Sequence, residues 1–260
     1  QVSVGNLRRL EAAAPKLRSL FDRGQVSFIQ RVGYQNSSRS HFLATDIWST
    51  ANPAVSTGAG WLGRYLDGLA APTDPLIAWC VSSDVPHSLK TARTDVATIP
   101  SASSYAFQTA NSGSEATSER AAAARLASNP ALDRPQLNPI NGALASVLAS
   151  VGRVAPVATY PGTVTYPTSG LGQALKTVAG ALVRGIGTNV FWVQTGGYDN
   201  HANQGVVETA GTYWGLMGTL GDALLAFATD LQNQGLLNDT LVLQFSEFGR
   251  RITENGSRGT

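Results

Sequence analysis

The sequence has 260 residues, of which 43% are hydrophobic and 14% are charged, and this balance excludes an intrinsically disordered chain. A single cysteine excludes an intramolecular disulfide and any metal site built from several cysteines. The net charge of +2, without clusters of basic residues, argues against a dedicated nucleic-acid-binding protein, so we expect no nucleic-acid partner.

The first 81 residues contain three apolar spacings typical of helices and two runs typical of strands. Apolar residues at helical spacing predict helices over 7–21, 42–48 and 61–69. Alternation over 26–32 predicts a strand, and the continuous apolar run 76–81 predicts a buried strand.

The middle of the chain is poorer in structural signals. Residues 96–114 are uncharged and rich in Ser, Thr and Ala, and we predict an irregular insertion over 93–135. Ser112 and Glu115 have the spacing of a capping box, which predicts that a helix begins there. The longest uncharged stretch, 154–175, contains three prolines and is therefore no membrane helix, so we expect no membrane span.

The clearest pattern lies in the last 120 residues. Apolar spacing predicts helices over 144–154 and 171–186. A strand over 189–195, a long helix over about 206–234 and a buried strand over 241–245 then follow. Two strands joined by a long helical crossover pair in parallel, so the sequence predicts an α/β sheet.

Polar residues follow two of these strands, where α/β sheets gather their ligands. Asp199 and His201 come after the first strand, and Glu247 comes after the second. Imidazole and carboxylate ligands together suit Zn, Mn or Fe. The alternative is that Asp199 and His201 cap the next helix and bond to each other, while Glu247 pairs with Arg250 or Arg251.

A third polar cluster follows the strand predicted over 26–32. Ser38, Arg39, Ser40 and His41 offer a hydroxyl nucleophile, an anion-binding group and a proton carrier or ligand. The alternative is a solvated serine-rich turn. Three such clusters after three strands favour a common site more than any one of them does.

Several other side chains have simpler interpretations. His87 is predicted to lie in a surface loop, and Cys80 to be an inert thiol of the core. Trp48 and Trp61 flank a loop rich in Gly, Ser and Thr, so they either belong to the core or line a groove.

These motifs, in this order, resemble the bacterial domain-of-unknown-function 1501 family. The resemblance covers most of the chain and rests on six short runs: Ser38-Arg-Ser-His-Phe42, Gly60-Trp-Leu-Gly-Arg-Tyr65, Tyr160-Pro-Gly162, the Gly-Gly-Tyr-Asp-Asn-His-Ala-Asn-Gln run, the Ser-Glu-Phe-Gly-Arg-Arg run and Glu254-Asn-Gly-Ser257. It implies similarity to sulfatases and alkaline phosphatases, with a metal-dependent α/β fold and export through the twin-arginine pathway.

The resemblance also implies roles for individual residues. Asp199 and His201 would be ligands of one metal, with Glu247 as a further carboxylate ligand. Ser40 or Ser38 would act as the nucleophile, because the cysteine of sulfatases is absent. Phe248 stands where phosphatases carry a histidine, which argues against a second metal.

Two motifs of this family are expected outside the chain: an N-terminal strand ending in an aspartate ligand and a C-terminal Asp-His-Gly. We therefore expect a single alkaline-phosphatase-like domain over 1–260 that lacks both parts. We also expect that the divalent metal, whether Zn, Mn, Mg or Ca, binds poorly or is absent.

The sequence thus predicts a three-layer α/β sandwich with a mostly parallel central sheet, alkaline-phosphatase-like. The first hypothesis is a metal-dependent hydrolase of small anionic phosphate or sulfate esters, in which Arg39 or Arg250 stabilises negative charge. The second is a non-catalytic binding or surface protein on the same scaffold. The resemblance implies a periplasmic or secreted location for either one.

Overall fold

A computed structural model of the chain describes residues 14–69, 74–129, 134–204, 211–251 and 253–259. Its sheet has three parallel strands in the order β2-β1-β3. They are β1 (Ala78–Cys80), β2 (Ala97–Thr98) and β3 (Val190–Trp192). An α/β fold with parallel pairing is therefore confirmed.

The central strand β1 holds the sheet together. All three of its residues are fully buried, as the apolar run predicted. Trp79 pairs with Ala97 on one side and Phe191 on the other. Its indole Nε1 also donates to the carbonyl oxygen of Ile99 at 3.0 Å, which ties the chain after β2 to the sheet. The irregular stretch predicted over 96–114 is thus interrupted by an ordered strand.

The described residues form seven α-helices, and each predicted helix corresponds to one of them. The helices are α1 (Pro15–Asp22), α2 (His41–Thr50), α3 (Trp61–Asp67), α4 (Gly113–Ser128), α5 (Asn138–Val154), α6 (Gly170–Val183) and α7 (Thr212–Asn233). Leu7 and Leu10 of the first predicted helix, and residues 206–210 of the last, lie outside the described residues. Ser112 precedes α4 as predicted, but its side chain makes no capping hydrogen bond.

Helices α6 and α7 form the part of the core that packs against β3. Apolar residues of α6 and α7 pack together with Tyr160 and Tyr166 from the loop before α6. Helix α1 lies against α7 through Leu17 and Leu20. This burial is the main source of stability, because each buried Leu side chain contributes about 1.5–3 kcal/mol.

Helices α4 and α5 pack against each other. The stretch Pro135–Thr159, which contains α5, is long and apolar enough by length and composition alone to cross a membrane, with 17% of its most apolar window buried. Its end is nevertheless built into the core, because Val154 and Val157 pack with Trp79 and Ile186. The expectation of no membrane span stays a prediction.

Two of the predicted strands are wrong. Residues 26–32 and 241–245 form no strand in the structure. Among the described residues, β3 therefore pairs only with β1, and no strand that follows α7 in the sequence joins the sheet. Leu241 is 92% exposed and Ile29 is 79% exposed. An apolar run favours extended backbone, but a strand also needs a neighbour for its N–H and C=O groups. Both segments instead border one open cavity of about 2080 Å³.

Candidate functional site

The cavity between residues 26–32 and 241–245 brings the predicted site residues together. His41 is the first residue of α2, Asp199 and His201 lie in the loop after β3, and Glu247 and Arg250 follow residues 241–245. All five line this cavity. Three segments that are far apart in sequence therefore contribute to one site.

Local backbone geometry determines where Asp199 and His41 lie. Gly197 has a φ of 88°, in the left-handed region that glycine adopts most readily, two residues before Asp199. Ser40 is the N-cap of α2, and its hydroxyl accepts a hydrogen bond from the backbone N–H of Leu43 at 3.5 Å. This cap sets His41 at the first turn of the helix.

Four titratable side chains form a chain of contacts, which we call the His–carboxylate cluster: His41, Asp199, His201 and Glu247. Nδ1 of His41 lies 3.0 Å from Oε1 of Glu247, within hydrogen-bond distance. Nε2 of His41 lies 3.6 Å from Oδ2 of Asp199. Nε2 of His201 lies 2.9 Å from Oδ1 of the same aspartate. The cluster therefore alternates imidazoles and carboxylates.

These contacts change the two alternative interpretations, in which Asp199 and His201 cap the next helix and Glu247 pairs with an arginine. The hydrogen bond expected between Asp199 and His201 is present, but neither residue caps α7, whose N-cap is Gly211. Glu247 pairs with His41 in the structure, where an arginine partner was the alternative.

Arg250 holds the loop that carries Asp199 and His201. Its guanidinium donates to the carbonyl oxygen of Tyr198 at 2.6 Å and also to that of Asn200. It lies 3.9 Å from Oδ1 of Asp199. Burial raises the pKa of the neighbouring Tyr198 phenol, and the nearby Tyr213 adds to this rise, so the phenol is neutral at physiological pH. These contacts occupy Arg250 with the loop backbone.

Arg39 differs from Arg250 in its surroundings. It is exposed at the cavity, and no hydrogen bond or ion pair to its guanidinium is found in the part of the chain that the structure describes. An arginine in this state is available for an anion, with a fork of donors that matches phosphate or sulfate. Of the two arginines predicted for this role, the geometry favours Arg39.

The two candidate nucleophiles have local partners only. Ser38 Oγ accepts from the backbone N–H of Ser40 at 3.0 Å, and Ser40 Oγ serves as the helix cap. Neither hydroxyl contacts an imidazole or carboxylate among the residues that are described. Both hydroxyls retain a proton to donate, so both serines stay candidate nucleophiles.

A supporting segment escaped the sequence interpretation. Nδ2 of Asn255 donates to the carbonyl oxygen of His201 at 2.9 Å. The backbone N–H groups of Asn203 and Gln204 bond to the carbonyl oxygens of Ser257 and Arg258. Residues 253–259 therefore support the loop that carries His201, a candidate metal ligand. In the sequence, only the resemblance of 254–257 to a family motif indicated that this segment belongs to the site.

Aromatic side chains form the neighbouring wall of the cavity. The ring of Phe245 lies 5.7 Å from that of Trp192, 6.3 Å from Trp48 and 6.4 Å from Trp61. Trp48, Trp61 and Phe245 line the cavity and are half-buried. Trp48 and Trp61 thus each pack on Phe245 and line a groove, the second of the two interpretations.

The donor chemistry of the His–carboxylate cluster fits a divalent transition metal, because two imidazoles and two carboxylates are suitable ligands. Within the described ranges, however, no three His, Cys, Asp or Glu side chains already surround a common point as a metal site does. The imidazole–carboxylate contacts occupy several of the candidate ligand atoms. A cation would therefore compete with these contacts for the ligand atoms.

Comparison with known proteins gives one family. A family model described as "Protein of unknown function (DUF1501)" matches residues 28–260. No curated protein and no solved structure matches the chain.

Proposed function

The chain belongs to the DUF1501 family of proteins of unknown function, and we propose that it is a metal-dependent hydrolase of small phosphate or sulfate esters. The proposal includes a three-layer, alkaline-phosphatase-like fold and membership of the sulfatase and alkaline phosphatase superfamily. The three parallel strands are compatible with this fold. Export to the periplasm or outside the cell is proposed from the resemblance alone.

One observation carries the proposal: the His–carboxylate cluster shares one cavity with the guanidinium of Arg39, which has no hydrogen bond or ion pair among the described residues. The side chain of His201 is 75% exposed, so its ion pair contributes little to stability and its imidazole is accessible to a ligand. Ionisable groups that converge on an open cavity are typical of sites that bind or transform a ligand.

Each of these residues would have a separate role. Asp199 and His201 would hold the cation, with a further ligand from the His41–Glu247 pair. When bound, a divalent cation supplies Lewis-acid polarisation and neutralises negative charge on the ester. Arg39 binds the anionic ester and stabilises the charge that develops on its oxygens.

The hydroxyl of Ser38 or Ser40 is the nucleophile in this scheme. Its oxygen replaces the ester alcohol on phosphorus or sulfur, and the alcohol leaves with the hydroxyl proton. Water then cleaves the new serine ester, which releases phosphate or sulfate and restores the hydroxyl.

The second candidate function is a non-catalytic binding protein on the same scaffold. Two observations favour it: both serine hydroxyls are engaged in local backbone contacts, and the phenyl ring of Phe248 packs against His41 where phosphatases carry a histidine. Such a protein would bind an anion at Arg39 without cleaving it.

Elemental analysis of the purified chain after loading with Zn²⁺ or Mn²⁺, followed by assays with 4-nitrophenyl phosphate and 4-nitrophenyl sulfate, separates the two candidates. The hydrolase requires about one metal equivalent, lost in His201→Ala, and release of 4-nitrophenol that depends on metal. Glu115→Gln is the control, because Glu115 is an exposed carboxylate of α4 that does not line the cavity. Metal binding without hydrolysis would favour the binding protein, and absence of metal would refute the proposed centre.

A further inference from the structure

We propose that His41 binds the cation through Nε2, and that Glu247 is a positioning residue that orients His41 instead of binding the cation itself. This inference rests on the proposed function, since it concerns the same site. It changes the role of Glu247 from that implied by the family resemblance, and it adds a ligand from α2.

The hydrogen bond between His41 and Glu247 determines which nitrogen is free. Nδ1 of His41 lies 3.0 Å from Oε1 of Glu247, and an ionised carboxylate can only accept. Nδ1 therefore carries the proton, and in the neutral ring Nε2 has the lone pair. A carboxylate that accepts from one ring nitrogen while the other binds metal is the usual outer-shell arrangement of metal-binding histidines.

The ring of His41 is held in this orientation from a second side. Phe248 packs edge-on against it, with ring centroids 5.1 Å apart and an interplanar angle of 84°. Ser40 fixes the backbone of His41 at the start of α2. The imidazole is therefore restrained by a hydrogen bond, an aromatic contact and a helix cap, while its Nε2 faces Asp199.

His87 provides an internal comparison. Its Nδ1 also contacts a carboxylate, that of Asp46 at 2.9 Å, but its Nε2 lies 2.9 Å from the carbonyl oxygen of Gly58. Both nitrogens of His87 are thus occupied by the fold. Nε2 of His41 lies 3.6 Å from Asp199, beyond a hydrogen bond, and so it remains available to a ligand.

The spacing around Asp199 is consistent with shared coordination. Ligand atoms about 2.0–2.1 Å from a tetrahedral zinc lie about 3.3 Å from one another. Nε2 of His41 and Nε2 of His201 lie 3.6 Å and 2.9 Å from the Asp199 carboxylate. Both imidazole nitrogens thus lie near this ligand-to-ligand spacing from the Asp199 carboxylate, whereas Glu247 already uses Oε1 on Nδ1 of His41.

The test measures metal affinity by competition with a chromogenic chelator, using the full chain with Zn²⁺ and variants checked by circular dichroism. His41→Ala and Asp199→Ala are expected to abolish stoichiometric binding. Glu247→Ala should weaken affinity about 100-fold, while Glu247→Gln, which keeps an oxygen acceptor for Nδ1–H, should weaken it only about 10-fold. Glu115→Gln, at an exposed carboxylate of α4 away from the cavity, should match wild type.

Spectra of the Co²⁺-loaded protein give a second readout. The ligand-field bands of Glu247→Gln at saturating Co²⁺ should coincide with those of wild type, because the inner ligands are unchanged. Altered bands in Glu247→Gln, or wild-type affinity in His41→Ala, would overturn the inference and leave the proposed function standing. The expected binding pattern without ester hydrolysis would support the inference and refute the hydrolase. A wild-type chain that binds no metal would refute both.

Discussion

Gly259 lies against the backbone of His201, so close that a Cβ atom at this glycine would stand 2.2 Å from the carbonyl carbon of His201. The two residues are 58 positions apart, and the contact continues the support that Asn255 gives to the same carbonyl group. A residue that carries no reactive group thus helps to define where a candidate ligand lies.

We expect Gly259→Ala to weaken Zn²⁺ binding about 10-fold or more, because Cβ contacts below 3.0 Å force the backbone of His201 to move and outer-shell changes typically cost 10- to 100-fold in affinity. Gly256→Ala is the matched control, since nothing lies within 4 Å of a Cβ at Gly256. The measurement is chelator competition on both variants. Equal affinities in the two variants would show that residues 253–259 do not support the site.

A second prediction concerns the buried carboxylate of Asp230. Burial opposes its ionisation, but hydrogen bonds from Thr163, Tyr166 and Tyr160 outweigh that effect and hold its pKa below the ordinary value. Burial and the neighbouring Asp230 in turn raise the pKa of Tyr160 to about 12. The tyrosines therefore remain donors throughout the physiological range.

We expect Asp230→Asn to lower the free energy of unfolding by about 2–4 kcal/mol at pH 7, because the donors lose an ionised acceptor. A pKa that is lower in the folded state stabilises the protein above the unfolded-state value, near 3.9, and this contribution is lost as the pH falls through the folded-state pKa. The difference between wild type and variant should thus be constant above about pH 5 and shrink in more acidic solution. Urea unfolding across this range measures it.

Asp239→Asn serves as the control for this series, because Asp239 is exposed. Its unfolding free energy should stay within about 0.5 kcal/mol of wild type at neutral pH. A difference for Asp230→Asn that grows toward acidic pH would contradict the assigned direction of the pKa shift.

The exposed segment 241–245 gives a third prediction, since sequence and structure disagree there. Leu241 is 92% exposed, whereas Leu231 on α7 is fully buried. Leu241→Ala should change the unfolding free energy by less than about 0.5 kcal/mol, and Leu231→Ala should cost about 2–5 kcal/mol. Urea unfolding of both variants measures the contrast. If Leu241→Ala lowered the free energy of unfolding by about 2 kcal/mol or more, the result would support the buried strand predicted from sequence.

The limits of sequence interpretation follow from this contrast. The apolar runs around Trp79 and Trp192 predicted β1 and β3 correctly, and the run at 241–245 carries the same signal. What differs is the presence of a hydrogen-bonding neighbour, which depends on residues distant in sequence. Local propensity therefore gave the same strand signal at all three places but could not say which of them pair.

The candidate site divides in a similar way. His41, Asp199 and Glu247 were identified from residue type and from their positions after predicted strands, and they do share one cavity. Which nitrogen of His41 meets Glu247 depends on side-chain torsions that no pattern encodes. Gly259 has no side chain whose chemistry could mark it, so its contact with His201 was beyond prediction.

The last prediction separates the two arginines of the site. Arg250→Lys should weaken Zn²⁺ binding about 10-fold or more, because one ammonium group cannot reproduce the guanidinium fork that joins the carbonyl oxygens of Tyr198 and Asn200. Arg39→Ala should leave Zn²⁺ affinity unchanged and lower kcat/KM for 4-nitrophenyl phosphate about 100-fold, since its guanidinium faces the cavity without a partner among the described residues. Chelator competition and steady-state kinetics on both variants measure the two effects. If Arg250→Lys kept full metal affinity and only raised KM, Arg250 would be the group that binds the anion, and the loop after β3 would hold Asp199 and His201 without it.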